Sequence, residues 1–120
     1  MTSDTTQEPA QSLSGETREM HRALISLMEE LQAIDSYQQR ADVCNDPQLK
    51  AVLLHNKNEE IEHATMLMEW VRRHNGHFGE TMKTYLFSER PITEIEKGAA
   101  AGGPAVPRTG TLGIAGMKGA

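Results

Sequence analysis

The 120-residue chain carries a net charge of -5 and a sequence pI near 5.5, with 38% hydrophobic and only 4% aromatic residues. That length suggests a single domain, and the acidic balance argues against a nucleic-acid binder, which presents a basic patch or stripe. A single cysteine, Cys44, excludes an internal disulfide framework, and no apolar run approaches the ~20 residues that span a bilayer.

The N-terminal stretch from Met1 to Pro9 is polar and has no apolar signal-peptide core. The expectation is a soluble, cytoplasmic protein with a disordered arm over residues 1–11. Seven of the ten glycines follow residue 97 and three of the five prolines follow residue 90. The foldable part is therefore read as residues 12–97. A domain of that size is marginal alone and often recruits a partner chain or a metal.

Ser14 offers a helix cap, with Glu16 in the first turn where a carboxylate suits the helix dipole. Met20, Leu24, Leu27, Leu31 and Ile34 then follow a 4-3-4-3 spacing, which makes one apolar stripe on a helix reaching about Ala41. Glu30 lies on the flank of that stripe, and Tyr37 sits two turns further along the same flank. Asn45-Asp46-Pro47 stops this helix and starts another, with Asp46 as cap and Pro47 at the first helical position. A loop of about five residues favours an antiparallel hairpin.

The second helix is expected from Pro47 to about His74. Its stripe reads Leu49, Val52, Leu53, Asn56, Glu60, His63, Leu67, Trp70. Asn75-Gly76 is read as its close, because both residue types tolerate the left-handed conformation. A shorter helix is expected over residues 79–87, with Met82, Tyr85 and Leu86 as apolar members. Residues 91–97 offer two more turns in which Ile92 and Ile95 pack and Glu94 and Glu96 face water. The fold class is all-α. Residues 98–110 read as a flexible linker. Residues 111–120 carry Leu112, Ile114 and Met117 in a segment without a core of its own, the composition of a docking peptide.

The chemistry concentrates on Glu60-Ile61-Glu62-His63, the only Glu-x-x-His in the chain. Residues three apart share a helix face, so this carboxylate and imidazole can grip one metal ion. Both occupy the middle of an apolar stripe, where an unpaired charge is costly. In a hairpin, Glu30 approaches the same region. A second carboxylate alone adds repulsion, whereas a divalent cation turns all three groups into ligands. Di-iron carboxylate proteins of the four-helix class need two lone Glu and two Glu-x-x-His motifs. This chain has one of each and two long helices. A twofold homodimer supplies both missing halves.

Other readings of the same residues stay open at this point. Glu60 and His63 can instead line a solvated seam and pair with Lys57 or Arg72 of a neighbour. Asn56 can set register at a coiled-coil position. His55 is an outer-shell donor or a bystander. His74 and His77 suit a helix end. Cys44 reads as a spacer in the turn.

Four segments fall in order at characteristic spacing: Met28-Glu29-Glu30-Leu31, the run from His55 to His63, Glu69-Trp70-Val71-Arg72-Arg73, and Thr84-Tyr85-Leu86-Phe87. Over residues 12–97 the chain resembles the encapsulated ferritins, two-helix ferritin-like proteins packaged inside encapsulin shells. The tail Leu112-Gly113-Ile114-Ala115-Gly116-Met117 is similar to the peptide that docks such cargo on the shell's inner face, with Ala115 and Met117 replacing a usual Gly and Leu.

The resemblance implies a ferritin-like four-helix bundle completed by homodimerisation. It implies a ferroxidase centre with two iron ions per dimer interface, held by Glu30, Glu60 and His63 of each subunit. Calcium or zinc would be non-physiological occupants, and Tyr37 would lie close by with a catalytic part. The dimers would assemble into a ring-shaped decamer without a storage cavity, so iron would be mineralised in the surrounding encapsulin shell, contacted through Leu112, Ile114 and Met117. It also implies an acidic site through which metal approaches, matched here by Glu29. Gln32 and Ser36 stand where a Glu and a Trp are usual, which weakens that site by one charge. Two competing functions are a non-enzymatic hairpin adaptor that docks a partner, and a structural protein holding zinc.

Overall fold

A computed structural model describes residues 6–100. It contains one 3-10 turn at Ala10–Ser12 and four helices: α1 (Gly15–Asp42), α2 (Pro47–His74), α3 (Gly76–Tyr85) and α4 (Ile92–Ala100). No strand occurs among the described residues, in line with the all-α expectation. No described helix is long and apolar enough to cross a membrane. The chain divides between His74 and Asn75 into two compact units. The linker was expected over residues 98–110, but α4 continues to Ala100; the rest of that linker and the docking tail over 111–120 lie outside the described residues, as does the start of the N-terminal arm.

The first unit is the hairpin of α1 and α2. Ser14 caps α1 as expected, its hydroxyl accepting from the Thr17 N–H at 3.0 Å. Arg18 reaches back and donates to the carbonyls of Ala10 and Leu13, which holds the 3-10 turn against the start of the helix. Neither Gly nor Pro interrupts the helix after its first residue, so it continues for 28 residues. At the hairpin turn Asp46 Oδ1 accepts from the Gln48 N–H at 2.9 Å, and Pro47 opens α2, as its fixed φ allows.

The fully buried positions of this unit are small: Ala23 and Ala41 on α1, Ala64 and Val71 on α2. Small side chains let two helices approach closely. The larger apolar residues fare differently from expectation. Leu31, Leu49 and Val52 were expected on the packed stripes, yet 46%, 49% and 50% of their surface is exposed. Met28, Ile61 and Met66 are also exposed. The reason is geometric: two helices share one mutual face, and residues on either side of it have no third layer to pack on.

The second unit holds α3 and α4. Asn75-Gly76 does not close α2 with a left-handed residue. Asn75 is extended, with φ -142° and ψ 110°, and its side chain accepts from the Phe78 N–H. It caps α3, which therefore begins at Gly76 rather than 79 and ends at Tyr85. An Asn before a helix serves a cap as readily as a left-handed stop. The one described non-glycine residue at positive φ is Phe87, with φ 64°. In α4, Ile95 is buried as expected, whereas Ile92 is exposed and does not pack. Burial and the negative charge of Glu96 push the Tyr85 hydroxyl above the usual phenol range.

Candidate metal centre

The hairpin brings Glu30 of α1 opposite Glu60 and His63 of α2. One ligand atom from each lies within 4.8 Å of the others. His63 Nδ1 is 3.3 Å from Glu60 Oε1 and 3.6 Å from Glu30 Oε1. Among the described residues this is the one cluster of three or more His, Cys, Asp or Glu side chains so arranged. In the single chain their burial is partial. Side-chain exposure is 25% for Glu30, 24% for Glu60 and 44% for His63. Glu30 Oε1 is nevertheless sealed from solvent and has no hydrogen-bond partner. A buried acceptor left without a donor costs about 1–3 kcal/mol. A cation at the centroid of the cluster satisfies it, so the residues present fit a divalent ion with oxygen and nitrogen ligands.

The electrostatics point the same way. The facing Glu60 carboxyl group and burial push the Glu30 carboxyl above the ordinary carboxylate range. Glu60 moves below that range, with Glu30 first and His63 next as the causes. The two facing carboxyl groups therefore titrate as a pair. Glu60 also raises the His63 imidazole, followed by the charges of Glu30 and Glu59, against a lowering by burial. A proton on His63 and a divalent ion compete for the same carboxylates.

The sign of the pH dependence follows. His63 is raised in the fold, so its pairing with Glu60 stabilises the metal-free chain fully below the unfolded value of 6.5 and is lost as pH rises through the higher folded value. Metal affinity runs oppositely, because binding must displace that proton. Zn(II) affinity, measured by titration calorimetry between pH 6 and 8, should rise by about tenfold per pH unit below the folded value and flatten above it. A flat profile from pH 6 to 8 would exclude His63 as a ligand.

Other sequence-singled residues fall outside the cluster. Tyr37 is half-buried, with the Arg40 guanidinium carbon 5.4 Å from its ring centroid, and makes no hydrogen bond to the three ligands. Glu29 and Gln32 are exposed and Ser36 is half-buried. Glu29 joins no ligating cluster among the described residues. His55 pairs with Glu59 at 3.8 Å rather than with a ligand. Arg72 is committed to Glu69, which Arg72 and Arg73 together hold down to about 2. His74 stacks on Trp70 at 3.9 Å.

A family model described as EncFtn-like matches residues 5–89. The chain belongs to the EncFtn-like family. It is 47% identical to the encapsulated ferritin-like protein of Rhodospirillum rubrum, an alignment covering 98% of this chain and 90% of that one. It is 45% identical to a ferritin-like protein of Thermotoga maritima, over 79% and 83% of the two chains. Its fold matches the crystal structure of protein ne0167 from Nitrosomonas europaea with a TM-score of 0.72 at 56% identity, over 74% of this chain and 98% of that one. The resemblance carried by the four segments is thus a family membership, and the metal-capable cluster is consistent with iron handling by an EncFtn-like protein.

Proposed function

We propose that this chain is a ferroxidase whose working unit is a twofold homodimer. The observation that carries this reading is the convergence of Glu30, Glu60 and His63, with Glu30 Oε1 buried and without a donor. One chain supplies three ligands and a hairpin. A twofold axis beside the cluster supplies a second set and makes a four-helix bundle, the arrangement of di-iron carboxylate proteins. The exposed Leu31, Val52, Ile61 and Met66 support it, since a hairpin alone leaves them in water.

Fe(II) is the substrate. Glu30, Glu60 and His63 of the two subunits would together hold two ions. Iron takes the deprotonated forms of all three side chains, so any protons they hold are displaced on binding. Carboxylate-rich ligation favours Fe(III) over Fe(II), so two ions would give one electron each to one dioxygen, which with two protons leaves as hydrogen peroxide. Glu29 and Gln32 form a weak approach site, and Tyr37 stands by as a donor of a hydrogen bond or an electron. The dimers form a ring-shaped decamer, and the product iron is mineralised inside an encapsulin shell to which Leu112, Ile114 and Met117 dock.

Aerobic addition of Fe(II) tests the reading. The wild-type chain should consume oxygen and develop ferric absorbance faster than buffer, and Glu60→Ala should fall to the buffer rate. Equal rates for wild type and Glu60→Ala would assign the oxidation elsewhere. Binding of zinc without any oxygen consumption on iron would favour the structural metal protein.

A further inference from the structure

The cation nearest in sequence to the cluster is Lys57, three residues before Glu60 and therefore on its side of α2, about 5–6 Å away between Cβ atoms. With Glu60 three residues on along the same helix, an ammonium ordinarily pairs with its carboxylate. Lys57 does not. Its Nζ donates across the hairpin to Gln38 Oε1 of α1 at 2.8 Å, in a part-buried contact, and it forms no salt bridge among the described residues. Nor is Lys57 among the charges that shift Glu30 or Glu60.

Something must make a neutral amide the better partner, and one turn further along α1 is Asp42. The Gln38 amide nitrogen donates to Asp42 Oδ1 at 2.9 Å. An amide whose NH2 is engaged by a carboxylate must turn its oxygen the other way, and here that is toward Lys57. The Asp42 charge polarises the amide, which strengthens the acceptor that Lys57 meets. The chain Asp42–Gln38–Lys57 thus anchors the cation one turn from the ligands.

We infer that Gln38 is a positioning residue that parks the Lys57 ammonium away from Glu60 and so leaves that carboxylate free for metal. This rests on the ferroxidase reading of the cluster. Released from Gln38, Lys57 has Glu60 as its i,i+3 neighbour on the helix. There it would compete with a metal ion for the carboxylate and repel the ion by its charge.

Anaerobic titration of the full chain with Fe(II), read by calorimetry, tests this without any turnover. Gln38→Ala should weaken binding by about fivefold, the scale of one partly exposed ion pair. Asp42→Asn, at the solvent-exposed end of α1, should weaken it in the same direction by less. Lys57→Met should bind at least as tightly as wild type, and the Gln38→Ala/Lys57→Met double variant should return to the Lys57→Met affinity. That rescue separates parking from bracing. If the contact merely braced the hairpin, Lys57→Met would weaken binding as much as Gln38→Ala and the double variant would not recover. Either that pattern or an unchanged affinity in Gln38→Ala overturns the inference alone. A wild-type chain that binds no Fe(II) overturns the ferroxidase reading instead, and is seen before any variant is compared.

Discussion

Replacing His63 by alanine is expected to abolish metal binding at the cluster. His63 is the only nitrogen donor of the three and stands 3.3 and 3.6 Å from the two carboxylates it links. Without it, Glu30 and Glu60 face each other with no cation between them, and Glu30 Oε1 already lacks a donor. The pair would answer by taking up a proton rather than a metal. Loss of an outer-shell partner alone costs 10–100-fold in metal affinity, so loss of a ligand should exceed about 100-fold. The fold should survive, because His63 is half-exposed and alanine favours a helix. In the proposed dimer the same change also removes the ions that bridge the subunits. Native mass spectrometry at matched concentration should therefore show fewer dimers and no bound iron. Survival of metal binding at unchanged stoichiometry in His63→Ala would move the site elsewhere.

The ligand set was legible because its signal is local. Glu60 and His63 are held together by helix pitch alone, and a short loop between two long helices obliges α1 to lie along α2, which brings Glu30 across. The caps at Ser14 and Asp46 were legible for the same reason, since each needs only a side chain and the next turn. What was not legible depends on tertiary context. The stripes containing Leu31, Leu49 and Val52 have helical spacing, but periodicity says that a face is apolar and not that anything covers it. Asn75 carries two valid local meanings, a left-handed stop or an extended cap, and the start of α3 at Gly76 selects the second. The Asp42–Gln38–Lys57 chain left a weak trace, an Asp four residues after a Gln on one helix face. Its third member comes from the other helix, and the choice of Gln38 over Glu60 is a matter of amide orientation that spacing does not encode.

Half-burial also changes how the site should be understood. A fully buried carboxylate pair needs a cation or a proton to offset the repulsion between its charges. Here the three side chains keep about a quarter to a half of their surface in water, so the hairpin can form first and take up metal afterwards. In that arrangement the spacing between the helices matters more than burial, because it alone fixes the distance between Glu30 and the two ligands of α2.

Substituting Ala64 by leucine tests that spacing directly. Ala64 follows His63, lies one turn on from Glu60 and is 2% exposed. The other buried positions of the hairpin core, Ala23, Ala41 and Val71, are also small. A leucine at 64 adds three carbons where close packing leaves no room, so the helices must part or the new side chain must adopt a strained rotamer. Overpacking of this kind costs about 1–3 kcal/mol. Thermal unfolding of Ala64→Leu should show that loss, and Zn(II) titration should show weaker binding although every ligand is still present. Thr65→Leu provides the control, since Thr65 is exposed on the same helix and should change stability by no more than about 0.5 kcal/mol. Wild-type melting and wild-type metal affinity in Ala64→Leu would mean that the alanines do not set the gap across which Glu30 meets Glu60 and His63.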